Sequence, residues 1–252
     1  MKQWKKNQHP FTLFWLPNMV SLFNLFTGFF SILMVAEGRL RTAAWLIFVS
    51  LLWDSLDGNI ARALKNQSAF GRELDSLADI VSFVVAPCLI VLKAWSYKFV
   101  PWTLIPVFFY LAGGAYRLAR FNIRPPVKNY FEGLPTPAGA VVVAMTVLAY
   151  KKNDWTDVTL FIFVLVALMS VTSFLMVSRI PYPKLSAIKF SRWQSFFYLE
   201  FVLFVLVSFA MNLETALAAI FLAFLFLAPA YCLPSPISTD SPKEQWMTKS
   251  VK

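Results

Sequence analysis

Four aspartates set inside apolar sequence constrain this chain more than any other feature. They lie in the stretch DSLDGNIARALKNQSAFGRELDSLAD, from Asp54 to Asp79. Asp54, Asp57, Gly58, Ala61 and Arg62 fall at i, i+3, i+4, i+7 and i+8, positions that a helix gathers on one face. Asp75 and Asp79 are four apart, with Gly71 one turn before Asp75. Two helices joined by a short connection therefore present four carboxylates to a common point. Like charges that close repel unless cations lie between them, and an all-oxygen donor set suits Mg²⁺, Mn²⁺ or, as a further occupant, Ca²⁺.

The sequence around the aspartates has membrane composition. Of its 252 residues, 58% are hydrophobic and 17% aromatic, while 14% are charged, far fewer than a soluble domain of this length carries. A spanning helix needs about 20 apolar residues. Segments of that kind fall near 18–36, 42–64, 73–96, 102–123, 135–151, 157–178, 195–211 and 214–234. The fold expected is an all-α integral membrane bundle of about eight transmembrane helices. Residues 1–16, basic and aromatic, suit an interfacial segment; 17–234 form the membrane domain and 235–252 a flexible polar tail.

The formal net charge is +10, but the basic residues cluster between apolar runs rather than along one amphipathic face. That pattern fits an anionic membrane surface and membrane lipids, not nucleic acid. With the N-terminus inside, seventeen of the 23 Lys and Arg fall on the cytoplasmic side; Arg39, Arg41, Lys93, Lys98, Lys151 and Lys152 are the remainder. The asymmetry places both termini and the aspartates at the cytoplasmic face of a multi-pass cell-membrane protein. Cys88 and Cys232 lie in apolar segments with no ligand-like spacing, and His9 is the only histidine, so histidine chemistry has no material.

Acids scattered at helix ends would explain one or two of these aspartates, not four of the chain's thirteen acidic residues on one polar face. Intramembrane carboxylates are costly and mark function. An ion or proton pathway, as in a membrane cation transporter, would use them too. Such a path has little use for Arg62, and it predicts polar residues running on through the bilayer. A phosphate-bearing substrate accounts for the whole set: metals and arginine meet its charge, and glycine lets it approach the backbone. Asn18, Ser21 and Asn24 recur at three-residue spacing in the first apolar segment and add a polar strip at the same interface, with Pro17 read as a helix start.

The spacing D-x₂-D-G-x₂-A-R-x₈-G-x₃-D-x₃-D, filled by Asp54, Asp57, Gly58, Ala61, Arg62, Gly71, Asp75 and Asp79, resembles the signature of the CDP-alcohol phosphatidyltransferases. These are membrane enzymes that displace CMP from a CDP-linked lipid or alcohol. The resemblance implies a helical bundle of that family's type, with two divalent ions, Mg²⁺ or Mn²⁺, held by Asp54, Asp57, Asp75 and Asp79. It implies that Asp79 is the base for the acceptor hydroxyl. Gly58, Ala61, Arg62, Ser68 and Gly71 would line the CDP-lipid site, closed by Asn18, Ser21 and Asn24 from the first helix. A homodimer is a further implication of the family.

Other segments are similar to the phosphatidylserine synthase branch of that family. They are Pro17, Asn18, Asn24, Leu25 and Gly28, with Ser21 in place of a threonine; RLARFN; Phe131 to Ala140; and Met176 to Ser178. The branch implies CDP-diacylglycerol and L-serine as substrates. Acceptors such as glycerol 3-phosphate or inositol phosphate would keep the chemistry and demand a denser basic pocket. Arg117 and Arg120, three apart and followed by Asn122, suit a lipid phosphate or an acceptor carboxylate. Arg179 suits the same role or a membrane-surface anchor, and anchoring is the reading for Arg124 and Lys128.

Overall fold

In the computed structural model, residues 11–63, 68–94, 101–123, 130–152 and 158–183 are described, together with Leu222. The chain opens with a helical hairpin, α1 (Phe11–Ala36) and α2 (Leu40–Ala63). Gly38 stops α1 with φ +80°; its N–H donates to the Val35 carbonyl at 2.9 Å and that of Arg39 to Met34 at 2.8 Å, the paired bonds that satisfy the last turn's carbonyls. α3 (Ala69–Asp79) passes through a π-helical turn (Ile80–Val85) into α4 (Ala86–Ala94), one continuous run. After α5 (Pro101–Ile123) come a short strand β1 (Tyr130–Glu132), α6 (Thr136–Lys152), α7 (Val158–Val177) and β2 (Pro181–Pro183).

α1 shows the solvent for which the fold is built. Asn18, Ser21, Asn24, Thr27 and Ser31 are buried, whereas Met19, Leu22, Phe23, Phe26, Phe29, Phe30 and Leu33 are exposed. A soluble helix would turn these stripes the other way, so the outward surface belongs in lipid. Pro17–Ala36 and Ala69–Ala94 are both long and apolar enough to cross a membrane. The centre is α6, where Ala140 to Met145 are all buried among α2, α4 and α7. Close approach at this centre needs small residues: a Cβ on Gly28 of α1 would come within 2.7 Å of the Ser82 Cα in the π turn.

The π turn has a local cause and a local repair. Pro87 supplies no N–H to the turn before it, and the Phe83 carbonyl instead accepts the buried Tyr110 hydroxyl of α5 at 3.1 Å. The Ser82 hydroxyl donates to the Asn24 carbonyl at 2.9 Å, tying the same turn to α1. The helical run carrying Asp75 and Asp79 is thereby fixed against α1 and α5 immediately after its last aspartate.

The first six apolar segments of the sequence coincide with helices. Residues 195–211 and 214–234 lie outside the described residues apart from Leu222, which is helical and packs against the core. Residues 1–10, the 235–252 tail, Cys232, Arg124 and Lys128 also lie outside them. Three expectations change. Pro17 is inside α1, which already begins at Phe11, rather than at a helix start. α3 begins at Ala69 because Ser68 caps it, accepting the Gly71 N–H at 2.9 Å. The fold is also not purely helical: β1 and β2 pair antiparallel, Phe131 opposite Tyr182, where Pro181 and Pro183 end helical structure beyond α7.

Candidate active site

The aspartates converge because α1 supplies the polar groups that hold them. Its Ser21 hydroxyl donates to Asp57 Oδ2 at 3.0 Å, and its Asn24 Nδ2 donates to Asp79 Oδ1 at 3.1 Å. One residue of the strip thus fixes a carboxylate from α2 and the next fixes one from α3. Asn24 and Asp79 are deeply buried, at 0% and 6% exposure. The Thr27 and Ser50 hydroxyls, 2.6 Å apart, join α1 to α2 below this point.

Oxygens of Asp54, Asp57 and Asp75 lie within 4.8 Å of one another. Asp75 Oδ1 is buried without a hydrogen-bond partner among the described residues. Three carboxylates crowded together, one oxygen of which has lost water and gained nothing, match the hard, oxygen-seeking chemistry of a divalent cation. The residues fit such an ion. Asp79 stands outside that trio, occupied by Asn24, so the structure resolves the expected quartet into three clustered carboxylates and a fourth beside them.

The expected nucleotide-site residues divide as follows. Gly71 and Ser68 meet Asn18: a Cβ on Gly71 would lie 2.8 Å from Asn18 Oδ1 and 3.0 Å from Ser68 Oγ, so glycine is what lets α3 close on α1. Gly58 lies on the aspartate face of α2, where an added Cβ meets no atom within 4 Å among the described residues. Ala61 and Arg62 belong to the last turn of α2, and their side chains are outside the described residues.

The RLARFN residues part company. Arg117 is 7% exposed; its Nη1 donates to Thr136 Oγ1 at 2.8 Å, and it interacts coulombically with Asp79 and Asp54. Arg120 turns away, donating to the carbonyls of Val177 (2.7 Å), Glu132 (3.0 Å), Ser178 (3.1 Å) and Met176 (3.3 Å). It closes the C-terminus of α7 onto β1, as a cation at a helix C-terminus does. Asn122 grips α3, accepting from Ser76 Oγ at 3.0 Å and donating to Glu73 Oε2 at 3.1 Å. Arg179 is exposed between α7 and β2.

Comparison with known proteins covers the part of the chain that holds this geometry. The CDP-alcohol phosphatidyltransferase family matches residues 14–177, which contain every element that builds the aspartate cluster. The chain belongs to that family. It is 35% identical over 207 residues to the CDP-diacylglycerol–serine O-phosphatidyltransferase of Helicobacter pylori, covering 80% of this chain and 84% of the relative. It is 33% identical to the archaetidylserine synthase of Methanothermobacter thermautotrophicus, over 67% of this chain and 70% of that protein. It is also 36% identical to a CDP-diacylglycerol–serine O-phosphatidyltransferase of Mycobacterium leprae, over 69% and 59%. The chain is therefore an enzyme of the CDP-alcohol phosphatidyltransferase family, and its aspartate cluster suits the divalent metal such enzymes use.

Sequence reading passed over Thr136, Glu73, Ser76 and Ser82, which orient Arg117, Asn122 and the Asn24 backbone. Thr136 had a signal, as the first residue of a helix placed between Pro135 and Pro137. The other three are polar residues at unremarkable positions, and only their distant partners mark them.

Proposed function

We propose that this enzyme transfers the phosphatidyl group of CDP-diacylglycerol to the hydroxyl of L-serine, releasing CMP. In this reaction the serine oxygen forms a bond to the β-phosphorus, the bond from that phosphorus to the bridging oxygen breaks, and CMP leaves with the bonding electrons. The hydroxyl proton goes to Asp79. The carrying observation is the division of labour among the carboxylates: Asp54, Asp57 and Asp75 cluster, while Asp79 is held apart by Asn24. A base must be free of the metal to take a proton, and Asp79 is the carboxylate so placed. The names of the relatives support serine as the acceptor.

Asp54, Asp57 and Asp75 would hold two Mg²⁺ or Mn²⁺ ions, with Asp79 left beside them as the base. Bound there, the ions supply charge neutralisation for the pyrophosphate and the departing CMP. Asn18, Ser68 and Gly71 form a small polar corner at the mouth of α1 and α3 that receives the nucleotide phosphates, with Ser21 behind it. Gly58 faces the same ligand from α2, and the family resemblance assigns Ala61 and Arg62 to it as well. Arg120 and Asn122 keep the site in shape, and Arg179 meets the lipid phosphate from outside. The excess of Lys and Arg on one side supports a multi-pass cell-membrane protein with its termini and this site cytoplasmic.

The test is CMP release by purified enzyme given CDP-diacylglycerol, Mg²⁺ or Mn²⁺, and either L-serine, glycerol 3-phosphate or inositol phosphate. Release that requires both serine and metal is the expected result. Release with a phosphorylated alcohol and none with serine would overturn the acceptor assignment and keep the family chemistry.

A further inference from the structure

Among the described residues, three deeply buried polar atoms around Asp79 lack a partner, and they differ in kind. Asn24 Oδ1 and Asp75 Oδ1 are acceptors, and Arg117 Nε is a donor. Asn24 is 0% exposed and Arg117 7% exposed, so water at the surface does not satisfy them. A buried hydrogen-bonding atom left unmade is costly, and a site that tolerates several is built for a ligand that makes those bonds. Both side chains are fixed at their other ends. Asn24 Nδ2 is committed to Asp79 Oδ1 and Arg117 Nη1 to Thr136 Oγ1. The fixed ends set which atom each presents: Asn24 its amide oxygen, Arg117 its Nε–H.

Arg117 also has charge to spare. It interacts coulombically with Asp79 and Asp54, yet among the described residues it closes no ion pair with either. A buried guanidinium that closes no ion pair with its neighbouring carboxylates keeps its charge for an anionic group of the substrate. Neutral serine carries three groups on adjacent carbons: a carboxylate, an ammonium and a hydroxyl. The surroundings of Asp79 offer a cation, an amide acceptor and a carboxylate.

We infer that Arg117 and Asn24 form the acceptor subsite, which takes a zwitterionic amino alcohol: Arg117 binds its carboxylate, Asn24 Oδ1 accepts from its ammonium, and its hydroxyl is left beside Asp79. This inference rests on the serine reading above and names the groups that read the serine. Thr136 is a positioning residue within it, acting on substrate only through Arg117. Arg120 and Asn122 are outside the subsite, because their polar atoms are spent on backbone carbonyls and on α3.

The test compares CMP release with L-serine, with ethanolamine, which lacks the carboxylate, and with L-glycerate, which lacks the ammonium. The wild-type enzyme should prefer serine to either by about ten- to hundredfold in kcat/KM, the range for one charge-assisted hydrogen bond to a buried partner. Arg117→Gln should raise the serine KM by a similar factor, abolish the preference over ethanolamine, keep the preference over glycerate, and leave the KM for CDP-diacylglycerol unchanged. Should Arg117→Gln fail to fold, Thr136→Val loosens the same guanidinium without removing it. That variant must raise the serine KM and leave the lipid KM unchanged. A rise in lipid KM with an intact serine-to-ethanolamine ratio, in either variant, would move Arg117 to the lipid and overturn the subsite. If wild-type enzyme releases CMP with serine and both variants match it, the subsite alone falls. If wild-type enzyme releases none with serine, the serine reading falls and this inference with it.

Discussion

The aspartate face and the arginine corner present the same kind of text in sequence: charged residues three or four apart at the polar end of an apolar helix. In the structure they behave differently. Asp54, Asp57 and Asp75 work together, their oxygens within 4.8 Å of one another. Arg117, Arg120 and Asn122 lie within a turn and a half of one helix and do three separate jobs, at Thr136, at the end of α7 and on α3. The difference comes from what each group needs. Carboxylates that share a cation must converge, and helical spacing on α2 and α3, with Ser21 and Asn24 of α1 holding Asp57 and Asp79, converges them. A guanidinium is satisfied by whatever acceptors the fold brings, and an exposed α7 C-terminus offers carbonyls as readily as a ligand offers phosphate.

Breaking the convergent side should have the largest effects. Asp79→Asn removes the proton acceptor while keeping the shape, and turnover should fall about 10²–10⁴-fold, the usual worth of a general base. CDP-lipid binding, read by equilibrium binding in detergent, should remain; retained turnover would take Asp79 out of the base role. Stripping divalent metal with EDTA should stop CMP release, and Mg²⁺ or Mn²⁺ should restore it. Asp75→Asn should demand more metal for the same rate, because it removes one member of the trio and the orphaned Oδ1 charge with it. An unchanged metal dependence in that variant would separate Asp75 from the ion.

Breaking the dispersed side should act on stability before chemistry. Arg120→Ala leaves four carbonyls at the α7–β1 junction without their donor, a loss of about 1–3 kcal/mol in a partly buried setting. The melting temperature in detergent should drop while the serine KM moves far less than in Arg117→Gln. Arg120→Lys should recover only part of the loss, because an ammonium cannot reproduce the fork that reaches both β1 and α7. A melting temperature equal to wild type in Arg120→Ala would show the clamp to be idle and return Arg120 to the substrate.

What was legible in the sequence follows the same line. The aspartate face, the polar strip of α1 and the first six apolar segments depend on local periodicity, which the helix converts directly into a face. Their grouping in space followed with little help from the rest of the chain. The β1–β2 ribbon was not legible, since its three-residue strands carry no period and exist because α7 ends beside β1. The roles of Arg120 and Asn122 were not legible either. Their partners lie across the fold at Val177, Ser76 and Glu73, and nothing near them in sequence distinguishes a clamp from a ligand. Pro17 misled for a related reason: proline favours a helix start, but the first turns of α1 tolerate it internally.

Two glycines make the smallest and sharpest version of the comparison. Gly28 is a packing glycine. A methyl there runs into Ser82 of the π turn, both its Cα and the hydroxyl that donates to the Asn24 carbonyl, so Gly28→Ala should lose about 1–3 kcal/mol of stability. Gly58 stands one residue from Asp57 on a helix, and a methyl there meets no atom of another element within 4 Å among the described residues. Helix propensity alone would make Gly58→Ala neutral or up to about 1 kcal/mol more stable. If the space over Gly58 belongs to the CDP-lipid, the same variant should melt no lower than wild type and yet need several times more CDP-diacylglycerol to reach half its maximal rate. A variant with wild-type KM for the lipid would show that space to be solvent or bilayer, and Gly58 to be on the aspartate face without being part of the site.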